Sequence, residues 1–217
     1  MLHVSPSDLA ASSIEALRVL VPAALPAAGY VITAETPAHV PAREALLDRA
    51  MGPGRVRKSS EVIRRGRLPA DGLAFAATGL DQSLLGTLRL WHVAAGTRDG
   101  APVAALLLGP LAIEPSAQGL GLGGALMRHA VGEAKRLGHG AILLVGDPAY
   151  YARFGFSCAS TARLAMPGPF EQHRLLALEL KAGALSAAGG LIVGTGRAAG
   201  SRATRALQLS QRVGVAA

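Results

Sequence analysis

Four glycines fall within the seven residues Gln118 to Gly124, in the stretch QGLGLGG. The apolar run VAALLLGPLAI precedes this stretch, and a segment with helical periodicity, LMRHAVGEAKRLG, follows it. Glycine loses more conformational entropy on folding than any other residue, so the cluster indicates a backbone that something must approach closely. A strand, a glycine loop and a helix in this order favour a phosphate or diphosphate site, because unpaired amides and the helix dipole meet at the helix N-terminus.

The same glycines also match GxGxxG, the pattern of dinucleotide-binding folds, through Gly119, Gly121 and Gly124. Asp147, at the end of the next predicted strand, adds to that match. Two features oppose it, since a dinucleotide loop follows its strand almost directly and belongs to a βα unit, whereas residues 114–118 intervene here. A Walker loop is excluded because no Gly-Lys-Ser/Thr follows the glycines.

Upstream of the glycines, the apolar residues recur with a period of two in three segments, 72–79, 84–96 and 101–115. Glycine and aspartate between these segments predict an antiparallel meander. Gly109 and Pro110 interrupt the third segment. Because proline cannot donate to a strand ladder, we expect a bulge or a splayed edge at that point.

Helical and strand patterns on either side of the meander complete an α/β (α+β) domain. The chain after the glycines predicts a helix with Leu126, Ala130 and Ala134 on its apolar face, and then a buried strand parallel to the preceding one. The remaining predicted elements are strands at 30–36, 141–147 and 172–183 and helices at 41–52, 59–66 and 148–155.

The composition divides the chain into an N-terminal extension at 1–28, a domain at 29–193 and a basic C-terminal tail at 194–217. The formal net charge is +8, and half of it comes from the segment 182–217, which has four arginines and no acidic residue. Order is expected to fade from about Gly183. A second basic stretch covers 52–67. Such stretches are typical of a solvated face and a loose tail, although basic surfaces also attract polyanions.

Several classes of protein are excluded or disfavoured. The single cysteine, Cys158, allows no internal disulfide and is compatible with a reducing cytoplasm. The six histidines lie far apart and form no HxxxH or HExxH pattern, so no metal site is expected. No apolar run reaches the ~18–20 residues of a membrane span, and the N-terminus lacks the basic region of a secretory signal.

A second motif lies about thirty residues beyond the glycines, where Tyr151 to Phe156 read YxxxGF. Residues 118–123 also fit Q/R-x-x-G-x-G/A. This combination resembles the GNAT superfamily of acyl-CoA N-acyltransferases. The stretches LLLGPLAIEPSAQGLGLGGALMRHAV and LLVGDPAYYARFGF are similar to a bacterial branch of small predicted N-acetyltransferases. The resemblance covers about residues 30–193.

The resemblance implies a mixed, mostly antiparallel central sheet, flanked by helices and splayed between its fourth and fifth strands. Acetyl-CoA would be the acyl donor, with no metal. Its pantetheine arm would lie in the splay and pair with the backbone of Leu111, Ala112 and Ile113. Its diphosphate would bind the amides of the loop, which are those of Gln118, Gly119, Leu120, Gly121, Leu122, Gly123 and Gly124.

The resemblance also implies catalytic roles. Tyr151 matches the family tyrosine that lies near the sulfur and acts as general acid. A phenol with a pKa near 10 is protonated at pH 7. Tyr150 would point elsewhere on a helix, since neighbouring residues differ by about 100°. Glu114 is the nearest candidate for a general base, with His92 as the alternative, and Asp147 is expected to cap the short helix.

The predicted function is therefore transfer of an acetyl group from acetyl-CoA to a primary amine of a small molecule or a protein. The alternative is a non-catalytic acyl-CoA-binding or sensing module, because no general base is convincing. A nucleic-acid partner is disfavoured, since no aromatic platform accompanies the tail arginines. A homodimer is left open.

Overall fold

The computed structural model describes residues 29–201. The N-terminal extension at 1–28 and the tail arginines Arg202, Arg205 and Arg212 lie outside the described residues. The division of the chain at residues 29 and 193 stays a prediction.

Eight strands and four α-helices follow one another along the described chain. The strands are β1 (Tyr30–Ala34), β2 (Ala74–Gly79), β3 (Leu84–Arg98), β4 (Ala101–Ile113), β5 (Ala141–Val145), β6 (Leu164–Ala165), β7 (Leu175–Glu179) and β8 (Gly189–Gly194). The helices are α1 (Val40–Met51), α2 (Ser59–Arg64), α3 (Leu122–Arg136) and α4 (Pro148–Tyr151). No helix in residues 29–201 is both long enough and apolar enough to cross a membrane.

The predicted antiparallel meander is confirmed. The central sheet has the order β1-β2-β3-β4-β5-β7, and every neighbouring pair in it is antiparallel except β4 and β5. Between β3 and β4, Asp99 and Gly100 both have positive φ, at 53° and 80°. A two-residue hairpin loop of this kind needs positive φ at both positions, which explains the Asp-Gly dipeptide in the sequence.

The expected splay lies between β4 and β5. These strands pair only at Leu106–Ile142 and Leu107–Leu143, although β4 continues to Ile113. The register between β3 and β4 also shifts beside Gly109 and Pro110, which confirms the predicted irregularity. The gap between the strands therefore opens where proline interrupts β4.

The two faces of the sheet are covered by different elements. Leu106 packs with α3 through Leu126 and Met127, whereas the next residue, Leu107, faces the opposite side. Helix α1 lies on that opposite side, where Leu46 and Leu47 pack against Ala112. Side chains alternate between faces along a strand, so both faces of β4 and β5 are apolar.

The expectation that order fades from Gly183 was wrong. Residues 189–194 form β8, which pairs antiparallel with β3 and parallel with β6. Glycine is required at position 96 of β3, because a Cβ there would lie 2.0 Å from the Gly189 carbonyl oxygen of β8. A glycine-rich segment thus completes the sheet through tertiary pairing, which local composition does not indicate.

A buried ion-pair cluster joins β1, α1 and β3. Glu35 accepts hydrogen bonds from Arg43 and from Arg89, whose Nε–Oε2 distance is 2.8 Å. The Glu35 side chain is 9% exposed, and its burial raises the pKa of the carboxyl, while the Arg43 charge acts in the opposite direction. Removing one partner of such a cluster would leave an uncompensated buried charge, so the cluster fixes α1 on the sheet.

Candidate active site

The glycine loop ends in the first turn of α3. Gly121 is the N-cap residue, with φ 74° and ψ 2°, and Gly119 also has positive φ, at 81°. A Cβ at either residue would meet no atom within 4 Å. The glycines are thus required by the backbone conformation, and the space in front of them is open to a ligand.

The first backbone amides of α3 are available to that ligand. The first intrahelical bond that begins at the cap runs from the Ala125 amide to the Gly121 carbonyl, at 3.0 Å. Within the described part of the chain, no acceptor is bonded to the amides of Leu122, Gly123 or Gly124. These amides and the helix dipole together favour an anion.

A cavity of about 460 Å³ lies against this helix end. Of the residues described, two arginines and no acidic side chain line it. Its lining residues are Ile113, Ala117, Gln118, Gly119, Gly121, Leu122, Gly123, Gly124, Arg128, Tyr150, Arg153 and Phe154. The cavity is therefore positive as well as rich in open amides. Leu120 does not line it, and its side chain is exposed.

Arg128 and Arg153 are the cavity residues that sequence reasoning missed. Arg128 lies four residues after Gly124 on α3. A Cβ added to Gly124 would lie 3.3 Å from Nη1 of Arg128. Its spacing of one helical turn from the loop was a usable signal. The Arg153 guanidinium lies over the Tyr150 ring, 4.0 Å from the centroid, and its Nε donates to the Tyr150 carbonyl. Only the folded chain brings Arg153 to the loop.

The predicted pantetheine segment borders the splay. Leu111, Ala112 and Ile113 pair with β3 on one side, opposite Leu88, Thr87 and Gly86 respectively. Their other edge faces the gap, since pairing between the described β4 and β5 ends at Leu107. An extended, amide-bearing ligand fits such an edge in the manner of an added strand.

The two tyrosines of α4 occupy different places, as expected. Their ring planes are 80° apart. A Cβ added to Gly123 would lie 3.3 Å from the Tyr150 hydroxyl, so this hydroxyl belongs to the loop cavity. The Tyr151 ring instead lies on Gly146, at the end of β5, where a Cβ would be 2.2 Å from its Cε2. The glycine at 146 therefore makes room for the ring of Tyr151.

Tyr151 has the properties of a proton donor. Burial raises the pKa of its phenol above the usual 10.0, and the neighbouring Tyr150 adds to the rise. No hydrogen bond joins the Tyr151 hydroxyl to another residue in 29–201. The phenol is thus protonated at neutral pH, and no other group there competes for its proton.

Glu114 is engaged in an ion pair. The Glu114 carboxylate is bonded to Arg49, with Oε2 2.6 Å from Nη2. This ion pair does not favour Glu114 as the base.

His92 lies near the opposite end of α3 from the glycine loop. Its ring centroid is 5.5 Å from that of His139, just beyond the helix C-terminus. The fifteen residues of α3 span about 22 Å, and this length separates His92 from the glycine loop.

The expected cap of α4 is confirmed, because the Ala149 amide donates to Oδ1 of Asp147 at 3.0 Å.

Part of the chain is similar to the acetyltransferase (GNAT) domain. A family model for the acetyltransferase (GNAT) domain matches residues 72–158, which include the glycine loop and Tyr151. Two uncharacterized N-acetyltransferases of Escherichia coli K12, YjhQ and YhbS, are each 36% identical, over 70 and 73 residues. The match covers 31% of this chain but only 39% and 44% of those relatives, or about two fifths of their length.

The similarity extends to a solved structure with a ligand. The crystal structure of E. coli YhbS in complex with CoA superposes with a TM-score of 0.66 at 27% identity. The superposition covers 78% of this chain and 92% of that one. That neighbour therefore shares most of the fold described here.

Proposed function

We propose that this chain, whose residues 72–158 match the GNAT acetyltransferase domain, transfers an acetyl group from acetyl-CoA to a primary amine. The observation that carries this proposal is the open N-terminus of α3, where unpaired amides, Arg128 and Arg153 line one cavity. The binding of CoA by the related YhbS supports it. In this chain, the amides of Gln118 to Gly124 would bind the diphosphate.

The pantetheine arm would then follow the open edge of β4, along Leu111, Ala112 and Ile113. This path leads from the glycine loop toward the level of Gly146 and Tyr151. A thioester placed there would lie beside the phenol of Tyr151. In this proposal the diphosphate lies at the glycine loop, the pantetheine along β4 and the sulfur beside Tyr151.

The proposed reaction needs one proton donor at the sulfur. The neutral amine attacks the thioester carbonyl carbon, a C–N bond forms and the C–S bond breaks. Tyr151 gives its proton to the leaving thiolate, and the proton lost by the amine restores the phenol through water. The products are the N-acetylated amine and CoA with a free thiol.

A transfer assay tests this function against the sensing alternative. The purified full chain is incubated with acetyl-CoA and a panel of amines, and thiol release is compared with the acetylated products seen by mass spectrometry. The proposal expects equal amounts of thiol and acetylated amine. Persistent CoA binding without turnover across the panel would favour the sensing module, which is considered because Glu114, the candidate base, is paired with Arg49.

The role of Glu114 is tested by Glu114→Gln. We expect kcat to fall less than about threefold, whereas removing a general base typically lowers a rate 10²- to 10⁴-fold. Glu133→Gln is the matched control, because Glu133 is also paired with an arginine at 2.7 Å and is similarly exposed. A loss above about 100-fold in Glu114→Gln alone would establish Glu114 as the base.

A further inference from the structure

A second cavity, of about 430 Å³, lies at the carboxyl end of β5. It shares no residue with the cavity at the glycine loop. The start of α2 and the segment before β7 form most of its wall. The lining residues are Lys58, Ser59, Ser60, Val145, Pro169, Phe170, Glu171 and Arg174. Its size is within the range of small-molecule sites.

This cavity lies on the other side of the strand end that carries Tyr151. Leu144 packs with the α3 face and Leu143 with the opposite face. By alternation, Gly146 faces the Tyr151 ring, and Val145 faces α2 and the second cavity. A thioester in the gap would therefore have the phenol on one side and this cavity on the other.

The cavity contains two basic side chains that form no ion pair with any residue in 29–201. Lys58 forms no side-chain hydrogen bond in that part of the chain either. The Nε of Arg174 donates to the Gly146 carbonyl at 3.4 Å, which leaves the terminal guanidinium nitrogens for a ligand. A guanidinium held in this way suits a carboxylate, because its planar fork can donate two parallel hydrogen bonds.

The remaining lining groups complement the rest of such a ligand. Val145, Pro169 and Phe170 offer an apolar surface. Glu171 is the one carboxylate among the described lining residues, and its neighbour is His173, at 3.5 Å. The cavity thus offers positive charge, negative charge and an apolar wall, the three features that an amino acid or short peptide would need.

We propose that this cavity is the acceptor site and that the acceptor is a small amine that also carries a carboxylate. Arg174 and Lys58 bind the carboxylate, and the apolar wall packs against the acceptor's side chain. Glu171 attracts the ammonium form before it loses its proton. This inference rests on the proposed transferase function, since only transfer makes the bound amine an acceptor.

Matched acids and amides test the inference on the unmutated full chain saturated with CoA. Calorimetry compares N-acetyl-L-phenylalanine with N-acetyl-L-phenylalaninamide, which differ only in the carboxylate. Transfer from acetyl-CoA to glycyl-L-phenylalanine and to its C-terminal amide is measured in parallel. We expect the acid of each pair to be favoured about tenfold, in Kd for the first and in kcat/KM for the second.

Substitutions then test which residues cause the preference for the acid over the amide. Arg174→Met and Lys58→Met should each remove most of it without changing the Kd for CoA, and Lys135→Met, at an exposed lysine of α3, should leave it intact. Equal binding of acid and amide, or no binding of the acid, would overturn the inference even where other amines are acetylated. Selective binding through Arg174 without any transfer would contradict the transferase function and leave a carboxylate site.

Discussion

Replacing Tyr151 with phenylalanine is expected to lower kcat by about 10²- to 10⁴-fold, the range for loss of a general acid. The Kd for CoA should change less than about twofold, because the ring remains on Gly146 and the diphosphate contacts lie elsewhere. Only the hydroxyl disappears, so the leaving thiolate must take its proton from water. Steady-state kinetics and calorimetry on the same preparation measure the two quantities.

Two other tyrosines make this test specific. Tyr30→Phe, on β1 away from the cavity, should leave kcat unchanged. Tyr150→Phe removes the hydroxyl at the glycine loop and should affect CoA binding more than kcat. If Tyr150→Phe shows the large fall in kcat and Tyr151→Phe does not, the assignment of the proton donor passes to Tyr150.

The pH profile gives an independent test of the same residue. Burial raises the pKa of Tyr151, and a general acid works only while it is protonated. As far as Tyr151 controls it, kcat should therefore be independent of pH near neutrality. It should fall only above the usual pKa of tyrosine, about 10. A fall below pH 9 that disappears in Tyr151→Phe would contradict this assignment.

The second large effect is expected from Gly121→Val. Its φ of 74° is one that a branched residue rarely adopts, and such strain costs about 1–3 kcal/mol. The new side chain would also occupy the open space before the unpaired amides. The side chain, together with the loop shift that relieves this strain, should raise the Kd for CoA by about 100-fold, whereas kcat at saturating acetyl-CoA should change little.

Gly132→Val is the matched control for this substitution. Gly132 is exposed on the same helix, has no positive φ, and a Cβ there would meet no atom within 4 Å. It should leave the Kd for CoA unchanged. An unaltered Kd in a folded Gly121→Val protein would mean that the diphosphate does not bind at the start of α3.

Local signals in the sequence predicted most of the sheet and the helix-loop geometry. The Asp-Gly turn, the proline in β4 and the glycines before α3 each restrict the backbone at their own position, so they are readable without knowledge of the fold. Strand β8 was missed because its residues pair with β3 and β6 only after the chain has returned to them. Its stability comes from pairing partners almost one hundred residues away.

The side chains around the site were predicted less well for a similar reason. Arg153 reaches the glycine loop because α4 turns back over it, and Glu35 meets Arg89 across 54 residues. The cavity with Lys58 and Arg174 joins two segments with no shared sequence pattern. Motif spacing predicts a role for the loop and for Tyr151, whereas the positions of the charged partners depend on how the elements pack.

Calorimetric titration of CoA into the full chain tests the central claim, that the unpaired amides of α3 hold the diphosphate of an acyl carrier. The account predicts saturable heat with one site per chain and a Kd below the millimolar range, weakened in Gly121→Val and unchanged in Gly132→Val. An absence of heat with CoA at millimolar concentration would contradict it.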